Sequence, residues 1–140
     1  MAKSDSICQL MLSKKDHILY WFKTGNDSWD AAVYLMQGAK NVEALFIFCL
    51  AIEKWLKANW VLDNIDNIPP RIHDLQSISS QTDLQLDPML IDFLDTINRW
   101  NLEGRSPDYR FSLHKLATDL YLEEQYLKLQ KLRLCLLERL

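Results

Sequence analysis

The stretch Val42–Leu62, VEALFIFCLAIEKWLKANWVL, limits this chain more than any other. From Ala44 to Ile52 no side chain is charged or strongly polar, so a helix here is apolar on every side and must be covered by several neighbours. It is too short to cross a bilayer, which takes about 20 apolar residues, and Glu53, Lys54 and Lys57 follow at once. The expectation is a central helix buried in protein, with no membrane contact. Glu53 and Lys57 stand at i,i+4 in the favourable order, and the simplest role for such a pair is a solvated surface contact of little energetic weight.

The other elements are read as partners for that helix. From Asp16 to Gln37 the residues Ile18, Phe22, Trp29, Ala32, Val33 and Met36 recur at three and four, with Gly25 in the slot between Phe22 and Trp29. The phase survives Thr24-Gly25-Asn26-Asp27, so one continuous helix is expected, and a glycine on its buried face lets another backbone approach closely. Gly38 is expected to end it in the left-handed conformation, leaving a short turn and an antiparallel hairpin. Asp63 to Pro70 is rich in turn formers and reads as a loop. A short helix follows from His73-Asp74-Leu75 to about Gln81, with Asp74 as its cap. Asp87-Pro88 pairs a cap with a first-turn proline and opens a helix to about Asn101. Leu102–Phe111, with Gly104 and Pro107, reads as a turn or loop. Ser112 then caps a last helix from Leu113 onward, with Leu113, Leu116, Ala117, Leu120 and Leu127 on one side. The leucine density near its end suggests a second contact surface for another copy of the chain.

No segment alternates at period two, so the expected fold is all-α: an antiparallel up-and-down bundle of four long helices and one short one. A tail over residues 1–15 precedes a single domain over 16–140. At 140 residues and 49% apolar content there is material for one core. A net charge of −3 argues against a nonspecific nucleic-acid binder and against DNA, so any RNA contact must rest on a local cluster. Cys8, Cys49 and Cys135 are odd in number and scattered, which fits a reducing cytoplasm. The apolar patch Ile7–Leu12 has no small-residue cleavage site after it and does not read as a signal peptide.

Most catalytic signatures are missing. Three glycines, at positions 25, 38 and 104, build no phosphate loop. His17, His73 and His114 share no ligand spacing with one another or with a Cys pair, so neither metal nor cofactor is expected. Cys49 lies where burial should make it inert. Three polar groups remain beside breaks in helical structure: Glu53 with Lys57; His73 with Asp74; and Arg105-Ser106-Pro107-Asp108-Tyr109-Arg110 with His114 beyond. Each is also explained by caps and surface pairs that finish a bundle end.

Those residues resemble the HEPN family (higher eukaryotes and prokaryotes nucleotide-binding domain). The resemblance rests on Trp21 and Asp27 in the first helix, Glu53-Lys54-Trp55-Leu56-Lys57-Ala58 in the central one, His73-Asp74-Leu75 after the loop, and Arg105-Ser106-Pro107-Asp108 before the last helix. It implies a helical bundle that holds a nucleotide or phosphate through Glu53, Lys57, His73, Asp74, Arg105 and Asp108. It also implies a homodimer and, as partner, a minimal nucleotidyltransferase in a two-component, toxin–antitoxin-like pair. Family ribonucleases carry an Arg followed after four to six residues by a His. Here Arg110 and His114 have three residues between them, and Arg105 and His114 have eight, so neither pair fits. A ribonuclease using Arg110 on the phosphate and His114 as acid or base is the alternative, and a structural interaction bundle without ligand is a further one. A single site shared by these residues requires Lys57, His73 and Arg105 to lie at one end of the bundle and face one cleft.

Overall fold

The computed structural model describes residues 12–140, so residues 1–11 of the expected tail, with Cys8 and most of the Ile7–Leu12 patch, lie outside the described residues. α1 spans Lys14–Gln37. It begins two residues ahead of the expected Asp16, with Ser13 as its cap: the Ser13 hydroxyl accepts from the Asp16 N–H and the Asp16 carboxylate accepts from the Ser13 N–H, both at 3.1 Å. The helix is continuous through Gly25, as its periodicity predicts. The close approach there is made by a side chain, since a Cβ on Gly25 would lie 2.5 Å from Cδ1 and Nε1 of Trp55. The left-handed turn falls one residue later than expected: Gly38 has φ −86°, whereas Ala39 has φ 58°.

α2, Asn41–Asp63, is the central helix, with fifteen of its residues between Val42 and Val61 buried. Trp29 of α1 stands edge-on to Phe48 at 4.9 Å and lies 5.4 Å from Trp55. Burying each such side chain stabilises the fold by roughly 1.5–3 kcal/mol. The Lys14 ammonium donates to the carbonyls of Val61 at 2.8 Å and Asn64 at 2.6 Å, covering acceptors that the end of α2 leaves open. α3 is Leu75–Ser80, and α4 is Pro88–Asn98, capped by Asp87 and ending three residues short of expectation.

The last third departs most from the sequence reading. Pro107–Leu116 forms a helix, α5, capped by Ser106, where a loop to Phe111 and a cap at Ser112 were expected. Ser112 lies inside it and its hydroxyl donates to the Asp108 carbonyl at 3.0 Å. The chain breaks at Ala117, and Thr118 caps α6, Asp119–Leu137. That break changes the phase of the leucines. Leu122, Gln125, Leu129, Leu132 and Leu136 face the core, while Leu120 and Leu127, expected on one side with the buried Leu113 and Ala117, are exposed.

Six helices and no strand make the described residues all-helical. Asn41 reaches Ala117 and Asp119, and Asn59 reaches Leu136, so α2 and α6 run parallel. α1 runs against both, pairing Trp29 with Phe48 and Tyr126, and α4 runs against α6, pairing Trp100 with Tyr121 and Phe93 with Lys128. The long helices therefore alternate up and down around α2. No described helix is long and apolar enough to cross a membrane.

Candidate functional site

Burial gives the Glu53–Lys57 pair a different weight from a surface contact. The Lys57 Nζ donates to Glu53 Oε2 at 3.2 Å, and both side chains are 8% exposed. Two charges held out of water cost more than a surface pair returns, so such a pair persists only with further partners. Lys57 has one in Trp21, whose ring centroid lies 5.3 Å from the ammonium. Glu53 has one in His73, whose Nδ1 lies 3.1 Å from Oε1. A carboxylate only accepts, so Nδ1 carries the hydrogen and donates. The His73 side chain is 58% exposed, which leaves Nε2 as its outward polar atom. The arrangement fixes an imidazole by a buried carboxylate and presents its other nitrogen at the surface.

Other expected site residues are engaged in contacts of their own. Asp74 does not cap α3 with its side chain: its carboxylate accepts from Asn98 Nδ2 at 2.6 Å and from the Ser77 hydroxyl. The cap comes from Asn98 of α4, whose Oδ1 accepts from the Leu75 N–H at 3.0 Å. Arg105 donates through Nε to the Asn101 carbonyl and lays its guanidinium 4.6 Å from the Tyr109 ring centroid. Asp108 is exposed in the first turn of α5, where a carboxylate suits the helix dipole. Arg110 reaches Glu43 at 3.4 Å. Ten residues of helix separate Glu43 from Glu53, about 15 Å along the axis. The structure thus joins Glu53, Lys57 and His73 by direct contacts, while Arg105 is held by Asn101 and Tyr109 and Arg110 by Glu43, so the single site shared with Arg105 that the sequence led to expect is not formed by direct contact and any binding there rests on Glu53, Lys57 and His73.

Arg110 and His114 form a second group. They are one turn apart on α5, and a concavity of about 320 Å³ beside them is lined by His114, Ala117 and residues 39–43 at the start of α2. A second hollow, of about 180 Å³, does not follow from the sequence reading: Trp100, Tyr109, Tyr121 and Arg99 are among the residues that line it. Burial raises the phenols of Tyr109 and Tyr121, the former against the pull of the Arg105 and Arg99 charges. The signal for this hollow was the aromatic spacing on either side of α5, which only the fold makes contiguous.

Cys49 is 2% exposed, and burial, with the Glu53 charge behind it, pushes its thiol up to about 12. It is not a nucleophile at neutral pH. Among the described residues no three His, Cys, Asp or Glu side chains are grouped to hold a metal ion.

A family model described as HEPN domain matches residues 18–133. The chain belongs to the HEPN family. No curated protein and no solved structure matches it. The HEPN match runs from the first turns of α1 into the last turns of α6 and includes every site residue named above. Within this HEPN chain the central-helix motif and the His-Asp-Leu motif meet, through Glu53 and His73, while the Arg-Ser-Pro-Asp motif opens α5.

Proposed function

We propose that this HEPN chain is a nucleotide- or phosphate-binding component of a two-component system whose other member is a minimal nucleotidyltransferase. The observation that carries the binding part is His73 anchored through Nδ1 to a buried Glu53 that Lys57 already neutralises. An imidazole held this way is preorganised, so little conformational entropy is lost when Nε2 meets a phosphate oxygen or a ribose hydroxyl. Calorimetry with a nucleoside triphosphate and with inorganic phosphate tests it. The expected result is binding by the wild type and a loss of about tenfold, equivalent to about 1.4 kcal/mol, in His73→Ala. His73 is exposed, so that variant keeps the fold. No heat with either probe, or equal affinity in the variant, removes the reading. For the partner, the expected outcome is a stable complex when this chain is co-expressed with a nucleotidyltransferase encoded next to it.

One observation favours ribonuclease activity as a second reading. On α5 the short spacing of Arg110 and His114 sets the two side chains about 5–6 Å apart at Cβ and on one face, so both can reach a single phosphate. Cleavage of RNA by wild type and none by His114→Ala is expected. Equal cleavage by both would eliminate His114 as acid or base.

A further inference from the structure

The hollow of about 180 Å³ is built from three helices that lie apart in the sequence. Tyr109, Ser112, Leu113 and Leu116 recur at three and four, so one side of α5 lines it. The end of α4 adds Arg99 and Trp100, and the first turn of α6 adds Tyr121. None of Glu53, Lys57 and His73 lines it, so its walls are not those of the site proposed above. Trp100 and Tyr121 stand edge-on with ring centroids 6.5 Å apart, and the Arg105 guanidinium lies over the Tyr109 ring. An apolar cavity of about 150 Å³ takes one benzene ring, so this one has room for a single ring with a short substituent.

The polar groups around the hollow decide the substituent. The Tyr121 oxygen accepts from the Trp100 N–H at 3.1 Å, which leaves the phenol hydrogen to give. Among the described residues no acceptor takes that hydrogen or the phenol hydrogen of Tyr109. Burial keeps both phenols protonated, although the Arg99 charge pulls on each of them. The Ser112 hydroxyl gives its hydrogen to the Asp108 carbonyl. Arg99 brings a guanidinium whose ion-pair partner is Asp95 at 3.2 Å, a contact with both side chains more than half exposed and therefore of little weight. No carboxylate lines the hollow. Aromatic walls with two spare phenol hydrogens, one guanidinium and no negative group suit a planar anion that only accepts. We propose that the hollow between α4, α5 and α6 binds a small aromatic carboxylate, its ring against Trp100 and Tyr109 and its carboxylate on Arg99 and the Tyr109 and Tyr121 hydroxyls. The planar fork of a guanidinium matches the two oxygens of a carboxylate, and the neutral phenols add donors without adding charge.

Benzoate is the probe, with benzamide as its neutral counterpart and adenosine monophosphate as a larger ring-bearing anion. Titrations are followed by nuclear magnetic resonance at the indole N–H of Trp100, assigned by its absence in Trp100→Phe. Benzoate should shift that resonance to saturation, and benzamide should bind about tenfold more weakly. Arg99→Gln and Tyr109→Phe should each weaken benzoate by about tenfold, the loss of a hydrogen bond to a charged group, with an unchanged helical circular dichroism spectrum. Both variants keep the fold, since the Arg99 side chain is 70% exposed and phenylalanine retains the Tyr109 ring. No shift up to the solubility limit of benzoate, equal affinity for benzamide, or an Arg99→Gln that binds as the wild type does would overturn the proposal. So would adenosine monophosphate displacing benzoate, which would give the hollow to a nucleotide instead.

Discussion

Replacing Gly25 by alanine should destabilise the protein, against the usual preference of helices for alanine. The added methyl would lie 2.5 Å from two atoms of the Trp55 ring. Carbon atoms in good contact stand about 3.5–4.0 Å apart, so the ring must withdraw by about 1 Å. It has little room, being fully buried, with the Trp29 ring centroid at 5.4 Å and the Arg133 guanidinium at 5.7 Å. Withdrawal also strains the bond from Trp55 Nε1 to the Phe22 carbonyl, 3.3 Å long. Overpacking of this kind costs about 1–3 kcal/mol and the weakened hydrogen bond about 1 kcal/mol, while alanine returns about 1 kcal/mol of helix propensity. The net loss is about 1–3 kcal/mol, or a fall in Tm of roughly 3–9 °C for a chain of this size. Thermal and urea unfolding followed by tryptophan fluorescence and circular dichroism measure it. Gly38→Ala is the control: its Cβ would meet only backbone oxygens at 3.6 and 3.7 Å, and its φ of −86° suits alanine, so little change is expected. Equal or higher stability in Gly25→Ala would refute the close approach of α1 and α2 at this level.

Two further outcomes follow from the buried charges. Arg139 grips Asp63 through two bonds, at 2.9 and 2.7 Å, and although burial alone would raise the Asp63 carboxyl, Arg139 and the Asp83 N–H together hold it below its ordinary value. A carboxyl lowered in the folded state adds stability above its unfolded pKa of about 3.9, and that stability is lost as pH falls through the folded value. Asp63→Asn should therefore lose about 2–3 kcal/mol in urea unfolding at neutral pH and show a shallower loss of stability on acidification. Glu53→Leu should cost about 3–5 kcal/mol by leaving the Lys57 ammonium buried without a counter-charge, and Glu53→Leu with Lys57→Met should recover most of it, a double-mutant cycle read by chemical denaturation. An additive double mutant would show that the pair does not act as a unit.

The parts of the fold that were legible in the sequence are those specified by local pattern. The period of α1, the uniform apolarity of α2 and the Asp87-Pro88 start of α4 each act within a few residues. Ser106-Pro107 carries the same cap-and-proline sign as Asp87-Pro88, but with Gly104 nearby it was weighed as a breaker, and α5 was missed. The break after α5 holds no glycine or proline. It is supported by Asn41, whose amide satisfies the Ala117 carbonyl from a site 76 residues away, and no reading of the local string reveals that. With that break invisible in the local string, one helix is read from Leu113 onward, and its phase places Leu120 and Leu127 on the same side as Leu113 and Ala117. The site shows the same division: the i,i+4 order of Glu53 and Lys57 is visible in the sequence, whereas their burial and their tie to His73 exist only once the loop after α2 has folded back.

The Lys14 ammonium gives the hairpin of α1 and α2 a second closure. At one mouth the chain itself joins the helices through Ala39; at the other, Lys14 bridges from the first turn of α1 to the carbonyls at the far end of α2. Fraying at the start of α1 has to break the Lys14 bonds and so uncovers the carbonyls at the end of α2. Amide exchange should accordingly find those two distant stretches opening in concert, and neutralising one lysine should loosen them by equal measure.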